Sequence, residues 1–261
     1  MPEAFGICVF CWGYGRLTIE HALPDWIGKR LGVHGLVEYR LGEKTIKAEP
    51  LFEVALPALC EDCNTGWLSS EFENKVARWI GPSLPNVGRS FVLDPHQREV
   101  TAAWAIKTAL LLELALSEVR GSAFAPASHF EWLYEHHTPP PGCAVWTFAV
   151  QIAAPPPSKS LLAWTTAGVL VPRSLVVPKA YLATFTIGFV GFQVFGPEFN
   201  DRIDGKPVRL PLHSAVQPIL QPLWPIEGNR SLRWPAPKVL AASGLETLAS
   251  WPSRLAGLPS G

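Results

Sequence analysis

The sequence has no net charge and no long apolar run, and each of these absences argues against a class of protein. Its 22 basic and 22 acidic side chains balance, so no global electrostatic attraction draws the chain to nucleic acid. The most apolar stretch, residues 102–116, is interrupted by Lys107 and Glu113, and we expect no membrane-spanning helix. Internal repeats, a glycine-rich phosphate loop followed by lysine, and a Gly-x-Ser-x-Gly element are also missing.

The composition that remains is that of a globular protein. The chain has 261 residues, of which 48% are hydrophobic, enough for one large domain or two small ones with an apolar core. Its 11 tryptophans and 26 prolines indicate many rigid turns packed against aromatic rings. The first residues lack the basic start of a secretory signal, and reduced thiols suit the cytoplasm. We therefore expect a cytoplasmic protein that does not bind a membrane.

Four of the five cysteines form two Cys-x-x-Cys pairs separated by 48 residues. The four are Cys8, Cys11, Cys60 and Cys63. One such pair alone is equally typical of a redox site, but two pairs supply the ligand number and spacing of a tetrahedral zinc site. Four thiolates leave no open coordination position, so the sequence predicts a structural zinc ion.

Three polar residues follow these cysteines closely. Glu20 and His21 come nine and ten residues after Cys11, and Asn64 directly follows Cys63. The segment from Leu68 to Trp79 has apolar residues at helical spacing, so zinc would clamp the Glu-His segment against the start of a helix. A carboxylate, an imidazole and a carboxamide placed together can hold one hard divalent cation and keep a general base.

This pattern resembles the HNH endonuclease family, of the ββα-metal or treble-clef zinc type. The family has Cys-x-x-Cys, an acidic residue followed by His and soon by Pro, and then Cys-x-x-Cys followed by His or Asn. Pro24 and the sequence Asn64-Thr-Gly-Trp67 extend the match, and the likeness is greatest to a divergent branch in actinobacterial and phage proteins. It covers about residues 5 to 80, under a third of the chain.

The resemblance implies a metal-dependent endonuclease that hydrolyses phosphodiester bonds of nucleic acid, with DNA as the expected substrate. His21 would be the general base, and Glu20 and Asn64 would hold a catalytic Mg²⁺ or Mn²⁺ ion. The family places an asparagine between its two halves, but residues 22–59 contain none. Glu53 and His34 are the alternatives for that position.

The expected fold class is α+β, in two modules. Residues 1–85 would form a zinc-stabilised, HNH-like ββα-metal module, and residues 86–261 a helix-plus-antiparallel-sheet module of unknown role. The second module has a long helix begun by a capping box at Asp94 and Gln97, a helix over 128–137, strands between 145 and 195, and an irregular C-terminal segment rich in Pro and Trp. The sequence leaves the oligomeric state open.

Several polar residues have a simpler interpretation beside a functional one. Lys107 could face a cleft and hold a phosphate, but a lysine among apolar neighbours more often pairs with a carboxylate or reaches water. The pair His136 and His137 suggests a metal site, but adjacent residues on a helix point in different directions. Cys143 is most simply a buried thiol.

The charge of residues 1–80, with 8 basic against 11 acidic side chains, does not favour tight duplex binding. Two alternatives to the nuclease therefore remain. One is a catalytically inactive zinc-stabilised module that binds nucleic acid or protein, and the other is a purely structural zinc domain.

Overall fold

A computed structural model of the chain describes most of the sequence up to residue 248. The described residues are 4–21, 23–32, 36–41, 44–50, 55–120, 126–151, 161–167, 180–198, 202–203, 206–207, 212, 214, 216–241, 244–245 and 247–248. In some of these only the backbone is described, namely 19–21, 36–41, 44–50, 55–56, 116–120, 161–167, 202–203 and 206–207.

A small antiparallel sheet forms the N-terminal part. Strands β1 (Ala4–Ile7) and β2 (Tyr14–His21) form a hairpin, and β5 (Ala55–Cys60) pairs with the other edge of β2. Between β2 and β5 lie helix α1 (Asp25–Leu31) and a separate hairpin of β3 (Leu36–Leu41) and β4 (Lys44–Pro50). Gly32 ends α1 in the left-handed conformation, with φ +64°, which glycine adopts readily.

A kinked helical run leads from the end of β5 into the core. It starts as a π-helical segment over Asp62–Glu73 and continues directly as α2 (Asn74–Trp79). Gly66 has non-helical dihedrals (φ −85°, ψ −109°) and marks the kink. Beyond it, Leu68, Phe72 and Val76 are buried at the spacing that predicted the helix.

Helix α3 (Pro95–Arg120) is the central element of the fold. Its predicted capping box is present: the Gln97 backbone N–H donates to Asp94 Oδ1 at 2.8 Å, and the Asp94 N–H donates to Gln97 Oε1 at 3.0 Å. Every residue from 100 to 113 is buried, so its surroundings cover all sides of the helix. Helix α4 (Ala127–His136) packs beside it.

The largest sheet is antiparallel except for one short pairing. Its path is β13-β7-β10-β9-β8, and β15 pairs parallel to β7. The bounds are β7 Ala144–Gln151, β8 Leu161–Ala167, β9 Ala180–Ile187, β10 Val190–Pro197, β13 Gln221–Trp224 and β15 Leu240–Ala241. Four shorter strands complete the order, β6 Phe91–Leu93 paired with β14 Leu232–Trp234, and β11 Arg202–Ile203 paired with β12 Lys206–Pro207. The C-terminal segment expected to be irregular thus contains short strands, and β13, β14 and β15 among them pair with earlier strands.

These elements confirm a mixed α+β fold, while the HNH-type ββα module stays a prediction. Buried apolar side chains before and after residue 85 pack in one continuous cluster, from Cys8 in the first hairpin to Trp234 in β14. The module boundary near residue 85 is untested by this packing and also stays a prediction.

A largely buried carboxylate, 13% exposed, ties the N-terminal elements to α3. Glu73 Oε2 accepts hydrogen bonds from the indole N–H groups of Trp26 in α1, at 2.8 Å, and Trp104 in α3, at 2.9 Å. Its Oε1 lies 2.6 Å from the ammonium of Lys107, whose side chain is fully buried. Lys107 therefore pairs with a carboxylate, the simpler of its two interpretations.

A second buried polar cluster encloses Cys143. His129 in α4 lies 3.2 Å from the Tyr181 hydroxyl through Nδ1 and 2.9 Å from the Pro197 carbonyl oxygen through Nε2, with the Cys143 sulfur 3.9 Å from Nδ1. Burial lowers the pKa of His129 to about 4 and raises that of Cys143. A protonated thiol sealed in the core is a packing group, as predicted for Cys143.

Candidate metal centre

The first two cysteines lie in the turn that joins β1 and β2. The Cys8 backbone N–H donates to the Gly13 carbonyl at 2.9 Å, and the Trp12 N–H donates back to the Cys8 carbonyl at 3.0 Å. Trp12 takes the left-handed conformation, with φ +58°, which closes this turn in a region that few bulky residues adopt. The tight turn directs both sulfurs to one side.

The other two cysteines come from the opposite edge of the small sheet. Cys60 is the last residue of β5, where it pairs with Leu17 of β2, and Cys63 lies in the first turn of the helical segment that follows. A hairpin turn and a helix start therefore face each other, with two cysteines on each.

The four sulfur atoms lie close enough to hold one metal ion. All lie within 4.8 Å of one another, and the sulfurs of Cys11 and Cys60 are 3.6 Å apart. A tetrahedron with Zn–S bonds of about 2.3 Å has sulfur–sulfur edges of roughly 3.8 Å, whereas a disulfide would need about 2.05 Å. The four thiols are free and could bind a metal such as zinc.

The electrostatics of the cluster favour a thiolate. The hydrogen bond from Cys63 lowers the pKa of Cys8 to about 4, while the same contact raises the pKa of Cys63. The Cys8 and Cys63 sulfurs thus share a proton, which an incoming cation would displace.

The buried N–H group of a half-buried indole gives an independent test of the fit. The Trp67 N–H has no hydrogen-bond partner of ordinary geometry in the part of the chain that the structure describes, although a buried donor is normally paired. It lies near enough to Cys63 to act on that sulfur, because it lowers the pKa of Cys63 against the larger effect of Cys8. A metal-bound thiolate would satisfy this donor, so the residues present fit a metal ion.

Aromatic side chains enclose the inner side of the cluster. Phe10, between the first two cysteines, makes edge contacts with Trp67 at 5.4 Å and with Phe130 of α4 at 5.2 Å between ring centroids. Trp67 also stacks on His137 at 4.8 Å and contacts Tyr134 at 6.1 Å. Desolvation and then the charge of Cys11 raise the pKa of Tyr134, as expected for a phenol at the edge of the cysteine cluster.

Two of the three candidate catalytic residues lie at the opposite end of β2 from the cysteine-bearing turn. Glu20 and His21 are its last two residues, paired with Leu56 and Ala55 of β5, and their side chains lie outside the described part. Asn64 reaches β2 as well, because its Nδ2 donates to Thr18 Oγ1 at 3.0 Å, and Thr18 donates in turn to the Leu59 carbonyl at 2.9 Å. Asn64 is therefore anchored two residues before Glu20 on the same strand.

The structure also locates a residue that the sequence did not single out. Thr18 contacts Asn64 yet belongs to no motif, since the two residues lie next to each other only in the folded chain. Trp67 belongs to the Asn64-Thr-Gly-Trp67 match, but its position beside Cys63 is known only from the structure. Among the described residues, the four cysteines are the cluster with metal-ligand geometry, so His136 and His137 do not join one. Glu53 and His34 lie outside the described residues.

None of the described helices combines the length and the apolar character needed to cross a membrane. Comparison of the chain with protein-family models, with curated proteins and with solved structures found no match. The family resemblance of the Cys-x-x-Cys and Glu-His pattern therefore stays a prediction.

Proposed function

We propose that this protein is a metal-dependent endonuclease that cleaves phosphodiester bonds in nucleic acid, with DNA as its substrate. The observation that supports it is the anchoring of Asn64 on β2 through Thr18. This contact joins Asn64, the residue after Cys63, to the strand that ends in Glu20 and His21. A carboxylate, an imidazole and a carboxamide suited to phosphodiester hydrolysis therefore come from adjoining backbone.

The proposed roles follow from the chemistry of these side chains. An imidazole nitrogen of His21 takes the proton from the attacking water, since histidine changes protonation state near neutral pH. Glu20 and the Asn64 carbonyl oxygen are hard ligands that would hold Mg²⁺ or Mn²⁺. Such an ion supplies charge stabilisation to the scissile phosphate and the leaving oxygen.

Zinc at the four cysteines would have a structural role in this proposal. It would fasten the β1–β2 turn to the start of the helical segment, and the free energy of zinc binding would add to folding by about 10 kcal/mol. Because the ligands are thiolates on both elements, loss of zinc would remove the link between the β1–β2 turn and the start of the helical segment that carries Asn64.

Supercoiled-plasmid nicking tests this proposal. The full-length zinc-loaded protein is incubated with Mg²⁺ or Mn²⁺, beside EDTA controls, and compared with His21→Ala and with His96→Ala, a change at an exposed histidine in the first turn of α3. We expect metal-dependent nicking in the parent and in His96→Ala, and at least about a hundredfold loss in His21→Ala. Zinc content and thermal melting verify that each variant is folded.

A catalytically inactive, zinc-stabilised binding module is the second candidate. The absence of asparagine from residues 22–59 and the acidic balance of residues 1–80 favour it. Equal nicking by His21→Ala and the parent would refute the assigned base. Binding of nucleic acid without metal-dependent cleavage would replace the nuclease by this second candidate.

A further inference from the structure

Exposed apolar side chains concentrate around the cysteine-bearing turn. Of the seven large apolar side chains that are exposed in the described part of the chain, five lie here. They are Phe5, Ile7, Trp12, Tyr14 and Tyr134, and we call them the knuckle surface. Tyr14 is 78% and Phe5 61% exposed, although large rings of this kind normally gain by burial. Such a concentration marks an interaction surface more often than chance exposure.

The members of the knuckle surface are neighbours in the fold. Ile7 and Tyr14 are directly paired across the β1–β2 hairpin, and Phe5 is paired with Arg16, so these side chains share one face of the sheet. Trp12 follows Cys11 at the tip of the same hairpin. Tyr134 reaches this region from α4 through its contact with Trp67.

Carboxylates border this surface. Glu61 and Asp62 are exposed in the turn between Cys60 and Cys63, which faces the Cys8–Cys11 turn across the sulfur cluster. Glu131 is exposed one helical turn before Tyr134 and thus on the same face of α4. Four thiolates would also outweigh the two positive charges of a zinc ion. Arg16 is the exposed base on the hairpin face.

This combination of aromatic rings and carboxylates selects among possible occupants. A second copy of the chain would bring the same carboxylates against each other. The phosphates of nucleic acid would also lie against these carboxylates. Both arrangements are repulsive. A lysine- or arginine-rich segment has the complementary charge, and its cations would also be attracted to the faces of Trp12 and Tyr14.

We propose that the knuckle surface docks a basic, extended segment of a partner protein. In the described part of the chain, β1 is an edge strand of its sheet and has no charge or proline to prevent pairing. A segment lying along β1 would place alternate side chains over Phe5 and Ile7, with its basic residues against the carboxylates. A partner of this kind would also supply the positive charge that the chain lacks for nucleic acid, but the docking does not depend on nuclease activity.

Fluorescence anisotropy with defined probes tests the docking. Full-length zinc-loaded protein is titrated into a labelled peptide of alternating arginine and leucine, a labelled glutamate–leucine peptide, and labelled oligothymidylate. We expect binding of the arginine peptide alone, weakening as salt is raised because the charges are exposed. Sedimentation of the protein without a probe measures self-association.

Substitutions locate the binding. Trp12→Asn removes the indole but introduces a residue that tolerates positive φ. Tyr14→Thr removes the phenol ring but introduces a residue that favours strands. The two changes together are expected to weaken peptide binding about tenfold. Glu61→Gln with Asp62→Asn is expected to reduce the salt dependence. The matched controls are Val92→Ala with Val239→Ala, two exposed apolar residues elsewhere, and Glu227→Gln, an exposed carboxylate elsewhere.

Three results would each overturn the proposal. They are preferential binding of oligothymidylate, self-association that the Tyr14 change abolishes, and peptide binding that no knuckle-surface variant weakens. Zinc content and melting are measured for every variant, and Tyr14→Thr alone serves if the Trp12 change prevents folding. Plasmid nicking is not part of the readout, so failure of the docking is distinguishable from failure of the nuclease proposal.

Discussion

Replacing Glu73 by glutamine should destabilise the protein far more than an ordinary surface ion-pair substitution. The carboxylate accepts two indole hydrogen bonds and faces the fully buried ammonium of Lys107 at 2.6 Å. Glutamine removes the charge and turns N–H groups toward other donors. Breaking a buried ion pair by removing one partner costs about 3–5 kcal/mol, and we expect Glu73→Gln to fall in that range.

Glu71→Gln is the matched control. Glu71 forms an ion pair with Lys75 one helical turn away at 2.7 Å, on the same helical run, but both side chains are more than 30% exposed. Water screens such a pair, and its loss should cost about 0.5 kcal/mol or less. The comparison therefore isolates the effect of burial from that of the amino-acid change.

Urea unfolding of the zinc-loaded proteins, followed by tryptophan fluorescence, measures both free energies. The double variant Glu73→Gln with Lys107→Met should be less destabilised than Glu73→Gln alone, because it no longer buries the Lys107 ammonium opposite a neutral glutamine. If Glu73→Gln costs less than about 1 kcal/mol, or no more than Glu71→Gln, the argument that Glu73 fastens α1, the helical run and α3 together is wrong.

Two further predictions concern acid stability and the metal. Burial lowers the pKa of His129 to about 4. Between that pH and about pH 6.5, the unfolded chain therefore binds a proton at this histidine that the folded chain does not. Acidification from about pH 7 to about pH 4.5 should remove about 2.5 kcal/mol of the free energy of unfolding through this group. In His129→Gln the measured fall in unfolding free energy should be smaller by that amount, and an unchanged fall would contradict the assignment. Trp67→Phe keeps the ring but removes the indole N–H, and competition with a chromophoric chelator should show metal affinity reduced about tenfold or more. Trp79→Phe, also half-buried on the helical run, is the control, and equal affinities of the two variants would exclude Trp67 as a donor to the Cys63 thiolate.

Local chemistry in the sequence was enough to predict many elements of this fold. Cys-x-x-Cys pairs indicated the candidate metal ligands, since a thiolate's affinity for a metal belongs to the residue itself. The capping box of α3 could be predicted for a similar reason, because a backbone cap needs only residues a few positions apart. Runs of β-branched and aromatic residues likewise indicated strands between residues 145 and 195.

The tertiary structure decided which distant side chains meet. Glu73 lies 47 residues from Trp26 and 34 from Lys107, and no local pattern relates such positions. The same holds for Asn64 and Thr18, 46 residues apart, and for β13, which pairs with β7 from a segment without strand-like periodicity. The sequence by itself determined which groups were available to bind metal or cap helices. The packing of α1, the helical run and the sheets around α3 determined which of them became partners, because long-range contacts depend on the whole core.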